Sequence, residues 1–135
     1  VEKTRIEKRV RFGDTDPFGM LYFAALLDYF KESVDEHIRR AGEAPEMIYR
    51  NRVERFGFPV VRVEADYQRP VQYDELIVIE CSVDSVGEKS VTFALTAYAG
   101  DDIASKGKLT FTAISDEWQS IPLPQRIANL VKNRK

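Results

Sequence analysis

The chain is predicted to be an α+β domain, one antiparallel sheet packed on one long helix. Three observations carry that reading. A single long stretch has the 3.6-residue apolar period of a helix, five others have the period of two that marks strands, and the last four of these are joined by short turns that only antiparallel neighbours can use.

The first strand is expected over residues 5–12, with Ile6, Val10 and Phe12 on one face and Glu7, Arg9 and Arg11 on the other. Lys8 interrupts the apolar face, which suits an edge strand or a lysine whose stem lies along apolar surface. An acidic loop leads into the helix. Leu26, Leu27, Phe30, Val34, Ile38 and Ala41 recur at steps of three and four and form one stripe. Asp28, Lys31, Glu32, Asp35, Glu36, Arg39 and Arg40 form the polar side. Lys31/Asp35, Asp35/Arg39 and Glu36/Arg40 are spaced to pair, each for about 0.3–0.5 kcal/mol. Gly42 is placed to stop the helix. Residues 43–57 read as a loop with room for a short helical turn.

From residue 59 the period is two. Val61, Val63, Ala65 and Tyr67 face one way and Arg62, Glu64, Asp66 and Gln68 the other. Residues 76–83, LIVIECSV, are nearly continuous apolar sequence, as expected of a central strand. Val91, Phe93, Leu95, Ala97 and Ala99 alternate through the fourth strand. Gly100-Asp101-Asp102 turns the chain into the fifth, residues 103–114. PLPQRIANLVK opens on prolines and reads as a short C-terminal helix, its basic residues (Arg126, Lys132, Arg134, Lys135) as a solvated tail. One helix cannot cover five strands, and sheet edges need protection, so dimerisation by sheet extension is expected.

The 135 residues suit a single domain, 1–135, able to bury a core without disulfides or metals. A net charge of -2 argues against nucleic acid as a partner. One cysteine, Cys81, rules out an internal disulfide and a cysteine-based zinc site; its apolar setting makes it a core residue. The N-terminus lacks the apolar block of a signal peptide, and no apolar run reaches the roughly 20 residues of a membrane helix. A soluble, cytoplasmic protein is expected.

GDTDPFGMLYF, residues 13–23, stands apart from this packing logic. It sets Asp14 and Asp16 among glycines, a proline and aromatics at the helix entrance. Its core, Asp14-Thr15-Asp16-Pro17-Phe18-Gly19, with Tyr22-Phe23, Leu26, Tyr29 and Phe30 following, resembles the motif of the hot-dog fold acyl-CoA thioesterases, in the 4-hydroxybenzoyl-CoA thioesterase-like branch. Pro59-Val60-Val61, running on through Tyr67 to Tyr73-Asp74-Glu75-Leu76, and Lys89-Ser90-Val91-Thr92-Phe93 resemble two further stretches of that family. The likeness spans residues 4–115. It implies a five-stranded antiparallel sheet wrapped around a central helix, hydrolysis of an acyl-CoA thioester, no cofactor beyond the coenzyme A of the substrate, no metal, and a homodimer or a tetramer of two dimers. Many members carry histidine at the position of Phe23 and glutamate at that of Lys31, which leaves Asp16 as the main catalytic candidate.

Thioester hydrolysis needs a carboxylate to activate water or attack the carbonyl, and donors for the oxyanion. By resemblance, Asp16 supplies the carboxylate, the N–H of Phe23 polarises the carbonyl, and Gly19 permits close backbone approach. Tyr22, Pro59, Val60, Lys89 and Ser90 contact substrate, the last two through CoA phosphates. Each has a plainer reading. Asp14 and Asp16 are also favoured turn and helix N-cap residues, the preferred account of Asp14. Lys89 and Ser90 also make an ordinary solvated turn. His37, the only histidine, reads as a helix-boundary residue, and it leaves a hydratase, which needs a catalytic histidine, poorly supported. The alternative of another class is a non-catalytic acyl- or CoA-binding module.

Overall fold

A computed structural model describes residues 3–132. The chain runs β1 (Lys3–Arg9), α1 (Phe23–Arg40), α2 (Pro45–Tyr49), β2 (Arg50–Asn51), β3 (Phe56–Gly57), β4 (Val60–Tyr67), β5 (Leu76–Val86), β6 (Ser90–Ala99), β7 (Asp102–Thr112), β8 (Ile114–Ser115) and α3 (Gln125–Val131). The five long strands form an antiparallel sheet in the order β1-β5-β6-β7-β4, and β2, β3 and β8 make a second, three-stranded sheet.

The expected layer pair is present. Leu26, Phe30, Val34 and Ile38 bury the predicted stripe of α1 against β1, β5 and β6. Phe30 also reaches β7 at Gly107. A Cβ built there would lie 2.7 Å from the Phe30 ring and 2.6 Å from the Glu64 carbonyl, so only glycine lets the ring lie on the strand. The apolar run of residues 76–83 belongs to an interior strand, as its composition requires, though β6 and not β5 is the middle of the five.

Several boundaries and contacts differ from expectation. The first strand begins at Lys3 and ends at Arg9; Phe12 lies in a 3-10 turn, exposed and edge-on to Tyr73. Residues 43–57 hold α2 and two two-residue strands, too short to show a period. Lys31–Asp35 and Arg40–Glu36 pair as spaced, but Arg39 turns to Glu36, and Asp35 accepts the Tyr49 hydroxyl beside Lys31. His37 is buried, not at a boundary. It shares a 2.9 Å hydrogen bond with the Thr4 hydroxyl, and burial lowers its pKa. Arg126 is no free tail residue: it bridges Glu43 and Glu54 at 2.9 and 2.7 Å. Arg134 and Lys135 lie outside the described residues.

Both edges of the large sheet are open, and they differ. On β1, Lys8 lies over the Tyr29 ring and bonds Glu32, so the interruption of the apolar face is a snorkelling lysine packed on α1. On β4 the inward row is Val60, Val63, Ala65 and Tyr67, opposite Phe111, Leu109, Gly107 and Ser105; a register shift at Val61 puts Val60 in that row. Val63 and Tyr67 are 48% and 52% exposed, because α1 does not extend over them.

Candidate active site

The acidic loop is a tight hairpin, and α1 begins where it ends. Thr15 bridges to Leu21, the Asp16 N–H donates to the Met20 carbonyl, and the Gly19 N–H donates to the Asp16 carbonyl. Gly19 has φ +78°, so the left-handed turn itself favours glycine, and the space around its Cβ position is open. Distant chain pins the loop: the Leu21 N–H donates to the Val71 carbonyl and the Tyr73 N–H to the Gly19 carbonyl.

Neither aspartate caps the helix. Tyr22 is the N-cap, without a side-chain cap bond, and no acid lies in the first turn. Asp16 makes an Asx-turn: its Oδ1 accepts the N–H groups of Phe18 (2.9 Å) and Met20 (3.2 Å), while Oδ2 has no partner among the described residues. Asp14 is a brace. Its carboxylate accepts the Tyr29 hydroxyl at 2.6 Å and its carbonyl accepts the Tyr22 N–H at 2.8 Å, so loop and helix are locked together. Burial, then the Asp14 contact, push the Tyr29 phenol above its ordinary pKa and keep it a donor.

The first intrahelical bond runs from the Leu26 N–H to the Tyr22 carbonyl. The N–H groups of Phe23, Ala24 and Ala25 precede it and have no acceptor among the described residues. This is an uncompensated positive helix end, ready for an anion or oxyanion. The Tyr67 hydroxyl donates to the Phe23 carbonyl at 3.0 Å, tying the end of β4 to that turn. Phe18, Tyr22, Phe23 and Tyr67 form an exposed aromatic rim. Behind it lies a mainly apolar cavity of about 270 Å³, with Leu21, Leu26, Tyr67, Val71, Ala97 and Ala104 in its lining and Gln68, Arg69 and Ser105 as its polar members. Among the described residues, no cluster of histidine, cysteine, aspartate and glutamate could hold a metal ion, and no helix is long and apolar enough to cross a membrane.

The remaining candidates sit at the other end of the sheet. Tyr67, Ser105 and Ala97 share one row across β4, β7 and β6; Val60, Phe111 and Val91 share another. Ser90 starts β6, seven residues before Ala97, so about 23 Å separates the two ends. Lys89 is exposed at the β5–β6 turn, where its carbonyl accepts the Ala113 N–H and the Thr112 hydroxyl. The Pro59 carbonyl accepts the Thr112 N–H beside it. Within one chain, then, Asp16, Gly19, Tyr22 and Phe23 are together, Pro59, Val60, Lys89 and Ser90 are together, and the two groups are apart. Sequence reasoning missed the bracing pair Asp14–Tyr29, although both residues lie in the motif; it also missed the Tyr67 tie.

Comparison with known proteins fits this geometry. Residues 10–129 match the family model described as the thioesterase-like superfamily. A 1,4-dihydroxy-2-naphthoyl-CoA hydrolase of Synechococcus elongatus is 29% identical over 125 residues, 91% of this chain and 90% of that protein. A 1,4-dihydroxy-2-naphthoyl-CoA thioesterase from Synechocystis superposes with a TM-score of 0.88 at 17% identity, covering 97% of this chain and 96% of that one. A 4-hydroxybenzoyl-CoA thioesterase variant in complex with 4-hydroxybenzoyl-CoA superposes with a TM-score of 0.84 at 16% identity, over 98% and 100% of the two chains. With this sheet wrapped on its helix and a matching span of 120 residues, the chain belongs to the thioesterase-like superfamily and has the hot-dog fold.

Proposed function

We propose that this thioester hydrolase cleaves acyl-CoA thioesters at the N-terminus of α1, with Asp16 as the reacting carboxylate. The observation that carries the reading is the pairing of three unengaged N–H groups at Phe23–Ala25 with a free carboxylate oxygen on the loop that leads to them. The thioester oxygen meets the Phe23 N–H, which stabilises the negative charge that develops there. Oδ1 of Asp16 is held by two N–H bonds, so Oδ2 does the chemistry, toward water or toward the carbonyl carbon. Asp14, through Tyr29 and Tyr22, holds loop and helix in register. The cavity of about 270 Å³ takes the acyl group, and its size and apolar lining suit a compact aromatic acid, in keeping with the naphthoyl and benzoyl thioesters named for the relatives.

The working unit is a homodimer, itself able to pair into a tetramer. β4 is an open edge strand with an exposed apolar row, and such an edge is covered by a second copy. Two β4 strands paired antiparallel about a two-fold axis set Val60 of one chain beside Tyr67 of the other. Pro59, Val60, Lys89 and Ser90 of one chain then approach Asp16 and Phe23 of its partner, which reunites the separated groups. The single buried free cysteine fits the reducing cytoplasm.

The test is thiol release from naphthoyl-, benzoyl- and fatty acyl-CoAs by wild type and Asp16→Asn. The variant is expected to lose about 10²–10⁴-fold in kcat with binding retained. Equal rates would remove Asp16 from the mechanism. Binding without turnover in wild type would make the protein a non-catalytic acyl-CoA-binding module.

A further inference from the structure

The cavity behind the aromatic rim is shaped by an irregularity in β7. Ser105 pairs with Ala97 of β6 and Ile103 with the next residue, Tyr98, so Ala104 between them has no partner on that strand. This is a β-bulge, which re-aims side chains locally. On a regular strand, successive side chains point to opposite faces. Here the neighbours Ala104 and Ser105 are both buried, at 1% and 2% exposure, and both line the cavity. The Ala104 carbonyl accepts the N–H groups of Gln68 and Arg69, at 2.9 and 3.1 Å, which ties the bulge to the chain leaving β4. Tyr67, Ser105 and Ala97 form one row that runs inward from the open edge. Ser105 lies one strand in and Ala97 two, about 5 and 10 Å from the edge strand. An aromatic ring that enters past Tyr67 therefore comes to lie on Ser105.

The polarity of this row is one-sided. The Ser105 hydroxyl donates to the Asp66 carbonyl at 2.7 Å, and the Tyr67 hydroxyl donates to the Phe23 carbonyl at 3.0 Å. A hydroxyl has one proton to donate and two lone pairs. With both protons committed to backbone carbonyls, each oxygen can only accept from a ligand. Arg69 offers no ready donor, because its guanidinium is held by Glu75, Asp102 and the Pro70 carbonyl. Gln68 is exposed. Ser105 is thus the buried polar side chain of the cavity, and it is an acceptor.

We propose that Ser105 determines acyl-group specificity by accepting a hydrogen bond from a ring hydroxyl of the substrate. The proposal rests on the reading of this cavity as the acyl site, and it adds which residue reads the ring and with what polarity. A ring that carries a hydroxyl donates to Ser105. An unsubstituted ring makes no such bond, and a methoxy ring brings a second acceptor and extra bulk against it.

The test compares kcat/KM for benzoyl-CoA, meta- and para-hydroxybenzoyl-CoA and the matching methoxybenzoyl-CoAs. The full chain is used as wild type, Ser105→Ala and Ser105→Thr. Wild type is expected to favour a hydroxyl isomer over benzoyl-CoA about five- to tenfold, the scale of one hydrogen bond, and to disfavour its methoxy counterpart. In Ser105→Ala the preference should fall to about one; in Ser105→Thr, which keeps the hydroxyl, it should persist. The ratio between substrates is read within each protein, so a change in overall rate does not enter it, and circular dichroism attests the fold. No preference in wild type, or an equal preference in folded Ser105→Ala, overturns the proposal. If Ser105→Ala does not fold, the wild-type order of hydroxyl, hydrogen and methoxy decides. Wild type that turns over none of these thioesters would instead overturn the thioesterase reading. The affinity ratio of the same thioesters, by calorimetry, then decides the role of Ser105.

Discussion

The inner face of the large sheet has two unlike halves. Under α1, Ile77, Ile79, Cys81, Phe93 and Leu95 of β5 and β6 are almost wholly buried. Beyond the helix, the row on β4 keeps the same alternation of apolar residues, yet Val63 and Tyr67 stay about half exposed. Composition does not separate the halves; what covers them does. The buried half has its cover within the chain and carries the domain's stability. The open half has no cover among the described residues, and the acidic loop, the free helix end and the aromatic rim all border it.

Breaking the covered half should have the largest effect. Phe30→Ala removes the ring that spans from α1 to Gly107 and is expected to cost about 3–5 kcal/mol in urea denaturation. A loss under about 1 kcal/mol would mean that the helix-covered half does not dominate stability. Tyr29→Phe, at the border, strips the hydroxyl from Asp14 and should cost about 1.5–3 kcal/mol. It should lower kcat more than it changes KM, because the loop loosens from the helix; an unchanged kcat would end the bracing role. Val63→Lys tests the open half alone. Monomer stability should move by no more than about 0.5 kcal/mol, while sedimentation should show a single chain in place of a dimer. A persisting dimer would mean that β4 is not the seam.

The smallest expected effect is a pH slope in the covered half. Burial, with the charge of Arg40 adding to it, holds His37 below its ordinary pKa of 6.5. The unfolded chain therefore takes the proton first as pH falls. Stability should be full above about 6.5 and decline below it toward the folded pKa. His37→Gln should flatten that decline, and a slope left intact would assign it to other groups.

The same division explains what was legible in the sequence. The stripe of Leu26, Phe30, Val34 and Ile38 was readable because a helix meets its cover with a fixed period. The alternation of β4 was readable too, but not its exposure, since how far α1 reaches across the sheet is set by tertiary packing. The two-residue strands β2, β3 and β8 have no period to detect. Asp16 resembles a cap in sequence because both roles place an acid before a proline. Its part in an Asx-turn depends on a loop path pinned by Val71 and Tyr73, some fifty residues away. The Asp14–Tyr29 brace and the separation of Lys89 and Ser90 from Phe23 likewise follow from tertiary contact and register, which spacing does not encode.

Gly107 draws a constraint from all this that is evolutionary in kind. The inner wall of β7 at that row is furnished not by the strand but by a residue 77 positions earlier, Phe30. Lys106 and Lys108, on either side, point outward, Lys108 to an ion pair with Asp84, and neither meets such a steric limit. The glycine is not. A methyl there would press on the ring that seats the helix and on the Glu64 carbonyl of the edge strand at once, so a lineage that loses it must change the helix, the strand pairing, or both.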